Sequence, residues 1–136
     1  MPDLTTGTPR VTETPTADSH AAIAHFEGLF AFETDCWDVH HDLDHGSPDF
    51  VLLDVRSTEL YDAGHVPGAI NLPTGRINER NLAPYPEGTI FVVYCAGPHC
   101  NGADKAAVRL ARMGRPVKKM IGGIEGWKDE GFSLAP

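Results

Sequence analysis

No apolar run in this 136-residue chain approaches the roughly 20 residues that a membrane-spanning helix needs, so no membrane association is expected. Basic residues are scarce: 11 Lys and Arg stand against 19 Asp and Glu, a formal net charge of −8 at pH 7. Nonspecific nucleic-acid binding depends on clustered positive charge, so it is not expected either. The N-terminus lacks the basic segment and apolar core of a secretory signal, which makes a cytoplasmic location the expectation. Cysteine is sparse. Cys36, Cys95 and Cys100 form no disulfide framework, and their odd number favours reactive or buried thiols over structural cross-links. No nucleotide or metal motif appears in residues 1–18, and no cofactor is expected. The length suits one domain with its own core.

Residues 1–18 are rich in Thr and Pro and poor in large apolar side chains. They bury too little to offset their ordering entropy, so a disordered tail is expected, followed by a single domain over residues 19–136. From Ser19 to Phe32 the residues Ala22, Ile23, Phe26, Leu29 and Phe30 recur at helical spacing, with Ser19 as cap. A short extended piece over 31–33 precedes a second helix over 35–45, for which Thr34 is the candidate cap and Gly46 the terminator. His41 and His45 lie one turn apart on that helix. A closed metal site needs three or four convergent ligands, so the His- and Asp-rich face is read as a solvated one and no metal is expected.

Phe50 to Val55 is an apolar run with Asp54 inside it, as in a parallel strand buried on both faces. A carboxylate there must accept loop N–H groups or pair with a cation. Ser57 caps a short helix over 58–63, and His65 to Pro73 has turn chemistry followed by a brief strand. A short helix is expected over 74–82. Ala103, Ala106, Ala107, Leu110, Ala111 and Met113 trace a helical stripe that Gly114 ends. Val117 to Ile121 is a further strand, Gly122-Gly123 a break, and 124–130 a last helix holding Trp127. Strand and helix alternate, which predicts an α/β fold with a mainly parallel sheet. Sites in such sheets lie at the carboxyl ends of strands.

Cys95 stands at such an end. The apolar run from Thr89 to Tyr94 stops at it, and Ala96-Gly97-Pro98-His99-Cys100-Asn101-Gly102 leads into a helix. A loop closing between a strand and a helix turns successive N–H groups inward as an anion nest, and the helix N-terminus adds positive potential. A thiol held there is expected to have a depressed pKa. Cys95 as a plain buried strand residue is the competing reading. Cys100 shares the loop and is either a packing residue or a resolving thiol able to exchange sulfur with Cys95. His99, between the two thiols, is a candidate anion partner or acid/base, or else a solvated loop residue.

Four stretches together resemble the rhodanese-like sulfurtransferase family. They are Leu53-Asp54-Val55-Arg56, the segment from Glu59 through Gly64-His65-Val66-Pro67-Gly68-Ala69 to Asn71-Leu72-Pro73, Val92-Val93-Tyr94-Cys95, and Ile121-Gly122-Gly123-Ile124-Glu125-Gly126-Trp127. The resemblance runs from about Thr34 to Pro136. It implies a five-stranded, mainly parallel sheet flanked by helices on both faces. It also implies Cys95 as a nucleophile that holds a persulfide, and ping-pong transfer of sulfane sulfur from thiosulfate or a persulfide to cyanide or a thiol. The anion-binding loop would be Ala96, Gly97, His99, Cys100, Asn101 and Gly102, with Asp54 and Arg56 in support. The implied partners are small sulfur donors and thiophilic acceptors, a protein thiol among the candidate acceptors. One departure stands out: the loop from Cys95 to Asn101 has seven residues, where six are usual in this family. Its length is similar to that of the related cell-cycle phosphatases and arsenate reductases, but Asn101 stands where those end in Arg. A phosphoryl group would therefore lack its bidentate clamp. Cationic help for a bound anion is expected from Arg56, Arg76, Arg80, Lys105 or His99. An arsenate reductase or phosphatase-like enzyme, and a noncatalytic binding or regulatory module, remain the alternatives.

Overall fold

The computed structural model describes residues 7–46 and 48–136. The chain forms two compact units, one ending at Phe30 and one over Ala31–Pro136. In the first, residues 7–18 carry no helix or strand, and the part of the expected disordered tail over residues 1–6 lies outside the described residues. Helix α1 then spans Ser19–Phe32. Its cap is Asp18, not Ser19: the Asp18 carboxylate accepts from the Ala21 N–H at 2.8 Å. No helix among the described residues is long and apolar enough to cross a membrane.

The second unit is built on five parallel strands. They are β1 (Glu33–Asp35), β2 (Val51–Asp54), β3 (Ile70–Asn71), β4 (Phe91–Tyr94) and β5 (Val117–Ile121), in the order β1-β5-β4-β2-β3. The expectation of a five-stranded, mainly parallel sheet with helices on both faces is met, and the sheet is parallel throughout. Alternate residues of each central strand divide between two cores, as the period of a strand requires. Leu52, Val92 and Tyr94 face one way, packing with Cys36 and Val39 of α2 (Cys36–Asp44) and with Ile124 and Trp127 of α6 (Gly123–Asp129). Leu53, Phe91 and Val93 face the other, packing with Leu82 of α4 (Glu79–Leu82) and with Ala103, Ala106 and Leu110 of α5 (Gly102–Arg112). Helix α3 (Thr58–Ala63) begins where expected, its Ser57 hydroxyl accepting from the Leu60 N–H.

Two further local expectations change. Helix α2 is capped by Asp35, whose side chain accepts from the Asp38 N–H at 2.8 Å. Thr34 instead lies within β1, opposite Met120 of β5. The single helix expected over 74–82 is two pieces, a 3₁₀ turn at Thr74–Arg76 and α4. Between them Ile77 is buried and extended, and the Asn78 side chain accepts from the Asn81 N–H to start a new helix.

Cys36 is the structural thiol of the three. It is 5% exposed, and its Sγ lies 3.5 Å from the Ile121 carbonyl and 3.6 Å from that of Gly123. Burial, then the nearby carboxylates led by Asp35, pushes its pKa from 9.0 up to about 11. Below about pH 9 both folded and unfolded chains keep this proton and its contribution to stability is whole; as pH rises through about 11 that contribution is lost, because the unfolded thiol ionises first. Denaturation of wild type and Cys36→Ala at neutral pH and near pH 11 checks this. The wild type should lose more stability than the variant over that interval.

Candidate active site

Strands β2 and β4 end side by side, with Asp54 opposite Tyr94, and a buried polar cluster locks their ends. Asp54 is fully buried and Arg56 is 8% exposed. The carboxylate accepts from the Arg56 backbone N–H at 3.0 Å and from its guanidinium at 2.7–3.1 Å. Tyr94 donates its hydroxyl to Asp54 at 2.6 Å and accepts from the Val66 N–H at 3.1 Å. Burial, then the bond to Asp54, holds the Tyr94 hydroxyl well above the usual tyrosine range. Arg56 also donates to the Gly64 carbonyl at 2.7 Å. The cluster therefore joins β2, β4 and the turn at His65–Pro67. Both routes foreseen for Asp54, loop N–H and cation, are used at once. Arg56 is thereby turned to Asp54 and Gly64, and is not a cation for the loop.

The loop begins one residue past Tyr94. Its outward carbonyls are held by the start of α6: the Ile124 N–H donates to Cys95 O at 3.0 Å, and the Glu125 N–H to Ala96 O at 2.9 Å. The chain comes this close only because residue 123 has no side chain. Gly123 adopts φ +59°, and a Cβ there would strike the Cys95 carbonyl oxygen and lie 2.9 Å from Gly97 N. With those carbonyls held outward, Ala96 N–H faces the sulfurs. No N–H of Ala96, Gly97 or His99 donates to another backbone carbonyl among the described residues. The Cys100 N–H is not available to an anion, since it closes a turn onto Gly97 O at 3.0 Å. Gly123→Ala is expected to keep the fold but to lower Cys95 chemistry about 10²-fold, because displacing a reacting atom by about 1 Å costs that much. Alkylation rate at Cys95, beside circular dichroism, measures it.

The two thiols meet. Cys95 Sγ and Cys100 Sγ are 2.7 Å apart, and Gly102 N–H lies 3.4 Å from the Cys100 sulfur. A side chain on Gly102 would put Cβ 2.7 Å from Cys95 Sγ, so glycine is required there too. Burial, and then the bond to Cys100, pushes Cys95 up to about 11. The bond from Cys95, then the Gly102 N–H, lowers Cys100. The depressed pKa expected of Cys95 is thus not found there: Cys95 is raised, and Cys100 is the thiol that is lowered.

Both sulfurs line a cavity of about 190 Å³ with Gly97, Pro98, Ala103, Asp104, Lys119 and the Met120–Gly123 turn. His99 is exposed beside Gly97 and does not line it, and neither does Asn101, which is exposed at the start of α5 without a capping side-chain bond. Arg76 and Arg80 are exposed elsewhere, and Lys105 acts on Cys100 only through its charge. The cation on the cavity wall is one that the sequence reading missed: Lys119, bonded to Asp104 at 2.9 Å and 3.5 Å from Glu33. Its signal was the Lys118-Lys119 pair inside β5, the strand beside β4. With two carboxylates at hand, Lys119 brings little net positive charge. Among the described residues no group of three or more His, Cys, Asp or Glu is arranged to hold a metal.

Comparison with known proteins agrees with this architecture. The chain is 43% identical over 84 residues to the HTH-type transcriptional regulator Rv0324 of Mycobacterium tuberculosis, covering 61% of this chain and 36% of the regulator. It spans well under half the length of that relative. Over 81 residues it is 31% identical to the thiosulfate sulfurtransferase GlpE of Coxiella burnetii, covering 59% of this chain and 73% of that protein. The crystal structure of the BH2092 protein from Bacillus halodurans superposes with a TM-score of 0.82 at 37% identity, covering 85% of each chain. Residues 38–130 match the rhodanese-like domain, and with the parallel sheet and the strand-end cysteine loop in place, the chain belongs to the rhodanese-like family.

Proposed function

We propose that the domain is a sulfurtransferase that carries sulfane sulfur on Cys95, with a persulfide as its favoured donor. The observation that carries this reading is the paired thiols at the floor of a small cavity, next to N–H groups free of other backbone partners. Attack by Cys95 Sγ on the terminal sulfur of a donor R–S–S⁻ breaks the donor S–S bond. Thiolate R–S⁻ leaves, or sulfite when thiosulfate is the donor. In this step Cys100, as its thiolate, takes the Cys95 proton across the 2.7 Å contact between the sulfurs, so the nucleophile forms at the moment of attack. The Cys95 persulfide then faces Ala96 N–H, which supports its negative charge. A thiophile (cyanide or a thiol, including a protein thiol) takes the outer sulfur in the second half-reaction.

The donor preference follows from charge. Thiosulfate is a dianion and calls for a strong cation, whereas Arg56 is bonded to Asp54 and Lys119 to Asp104. A singly charged persulfide suits this cavity better. The same lack of a bidentate guanidinium on the cavity wall counts against phosphoryl or arsenate chemistry. The test is thiocyanate formation with excess cyanide, comparing the two donors. Parallel double-reciprocal lines and a higher kcat/KM with a low-molecular-weight persulfide are expected. Turnover without any dependence on Cys95 would refute the reading.

A further inference from the structure

The sulfur that Cys95 would carry has a second thiol beside it, and the position of that thiol sets its reach. Cys100 Sγ lies 2.7 Å from Cys95 Sγ, so it addresses the inner sulfur of a Cys95 persulfide, not the outer sulfur that an external thiophile attacks. Reaching a disulfide bond of about 2.05 Å needs less than ~1 Å of movement. Three features hold the approach. The Cys100 N–H closes a turn onto Gly97 O. The Gly102 N–H meets the Cys100 sulfur at 3.4 Å. The missing Cβ of Gly102 leaves room where a side chain would strike Cys95 Sγ and come within 3.4 Å of Cys100 Sγ. The seven-residue loop thus seats both thiols in one cavity.

We propose, resting on the sulfurtransferase reading, that Cys100 resolves the Cys95 persulfide and releases hydrosulfide, giving the domain a second activity as a sulfane-sulfur reductase. The step is Cys95–S–S⁻ plus Cys100–SH giving the Cys95–Cys100 disulfide and HS⁻. The bond between Cys95 Sγ and the outer sulfur breaks, the bond between Cys95 Sγ and Cys100 Sγ forms, and the Cys100 proton leaves with the sulfide. The outer sulfur is reduced and the two cysteines are oxidised together. A dithiol reductant then restores both thiols by exchange and becomes a disulfide itself. Partitioning between the two activities depends on the acceptor: abundant thiophile takes the outer sulfur, and without one Cys100 takes over.

The experiment is a single turnover without added thiol. Reduced, desalted protein receives one equivalent of a low-molecular-weight persulfide. Hydrosulfide is trapped and counted, the chain is alkylated, and intact and peptide masses are read against a Cys95→Ser background. Wild type should release close to one hydrosulfide per chain and become lighter by two hydrogens, with the Cys95 and Cys100 peptides linked. Cys100→Ser, and Cys100→Ala as a second variant, should take up sulfur more slowly, keep it on Cys95 and release no hydrosulfide above background. A wild type that keeps the added sulfur on Cys95, as those variants do, overturns the proposal and leaves the sulfurtransferase reading standing. Sulfur absent from Cys95 in both Cys100 variants overturns both.

Discussion

Cys95→Ser is expected to lower sulfur transfer to cyanide by at least ~10³-fold, as removal of a covalent nucleophile does. The serine hydroxyl is a poor thiophile. The loss should fall on kcat, since the surrounding N–H groups and the cavity wall stay in place. Thermal unfolding should change little, because Cys95 is half-buried and sits in the loop after β4. The substitution also removes the sulfur–sulfur contact of Cys100. A rise in its apparent pKa is the expected direction, because the bond from Cys95 is the largest influence lowering it. Thiocyanate assay and iodoacetamide kinetics against pH measure the two effects separately.

The largest effect on stability is expected from Asp54→Ala, at about 3–5 kcal/mol, the usual cost of breaking a buried ion pair from one side. The substitution leaves the Arg56 guanidinium, 8% exposed, with only the Gly64 carbonyl as a remaining partner. It also leaves the fully buried Tyr94 hydroxyl without its acceptor. Asp54→Asn should cost less, since an amide oxygen still accepts from Arg56. Both variants act on the site through position alone, by loosening the ends of β2 and β4 one residue before Cys95. Urea denaturation gives the ranking, and equal stability of wild type and Asp54→Ala would remove the cluster from its assigned role.

How much of this could be read from sequence differs from feature to feature, and the reason is physical in each case. The alternation of strands and helices, the place of Cys95 at a strand end and the start of α5 at Gly102 rest on local pattern, and they emerge where expected. The helix caps shift by one residue because neighbouring cap-formers compete, and the winner is chosen elsewhere. Pairing of Thr34 with Met120 draws it into β1 and hands the cap to Asp35. The helix over 74–82 breaks because burying Ile77 outweighs continuing the turn. The pKa of Cys95 could not be read, because it depends first on burial and then on a sulfur–sulfur distance set by Gly102 and the Gly97–Cys100 turn. The grip of α6 on the loop was hidden in Gly122-Gly123. Those residues look like a break in the chain, yet they bring the Ile124 and Glu125 N–H groups onto the Cys95 and Ala96 carbonyls. Lys119 on the cavity wall likewise needed the neighbouring strand to be placed.

The role of Cys95 as sulfur carrier is tested most directly by peptide mass mapping of the Cys100→Ser chain after exposure to a low-molecular-weight persulfide and alkylation. The expected result is one added sulfur, confined to the peptide holding Cys95 and removed by cyanide as thiocyanate. An unmodified Cys95 peptide, or added sulfur found on Cys36 instead, would contradict it.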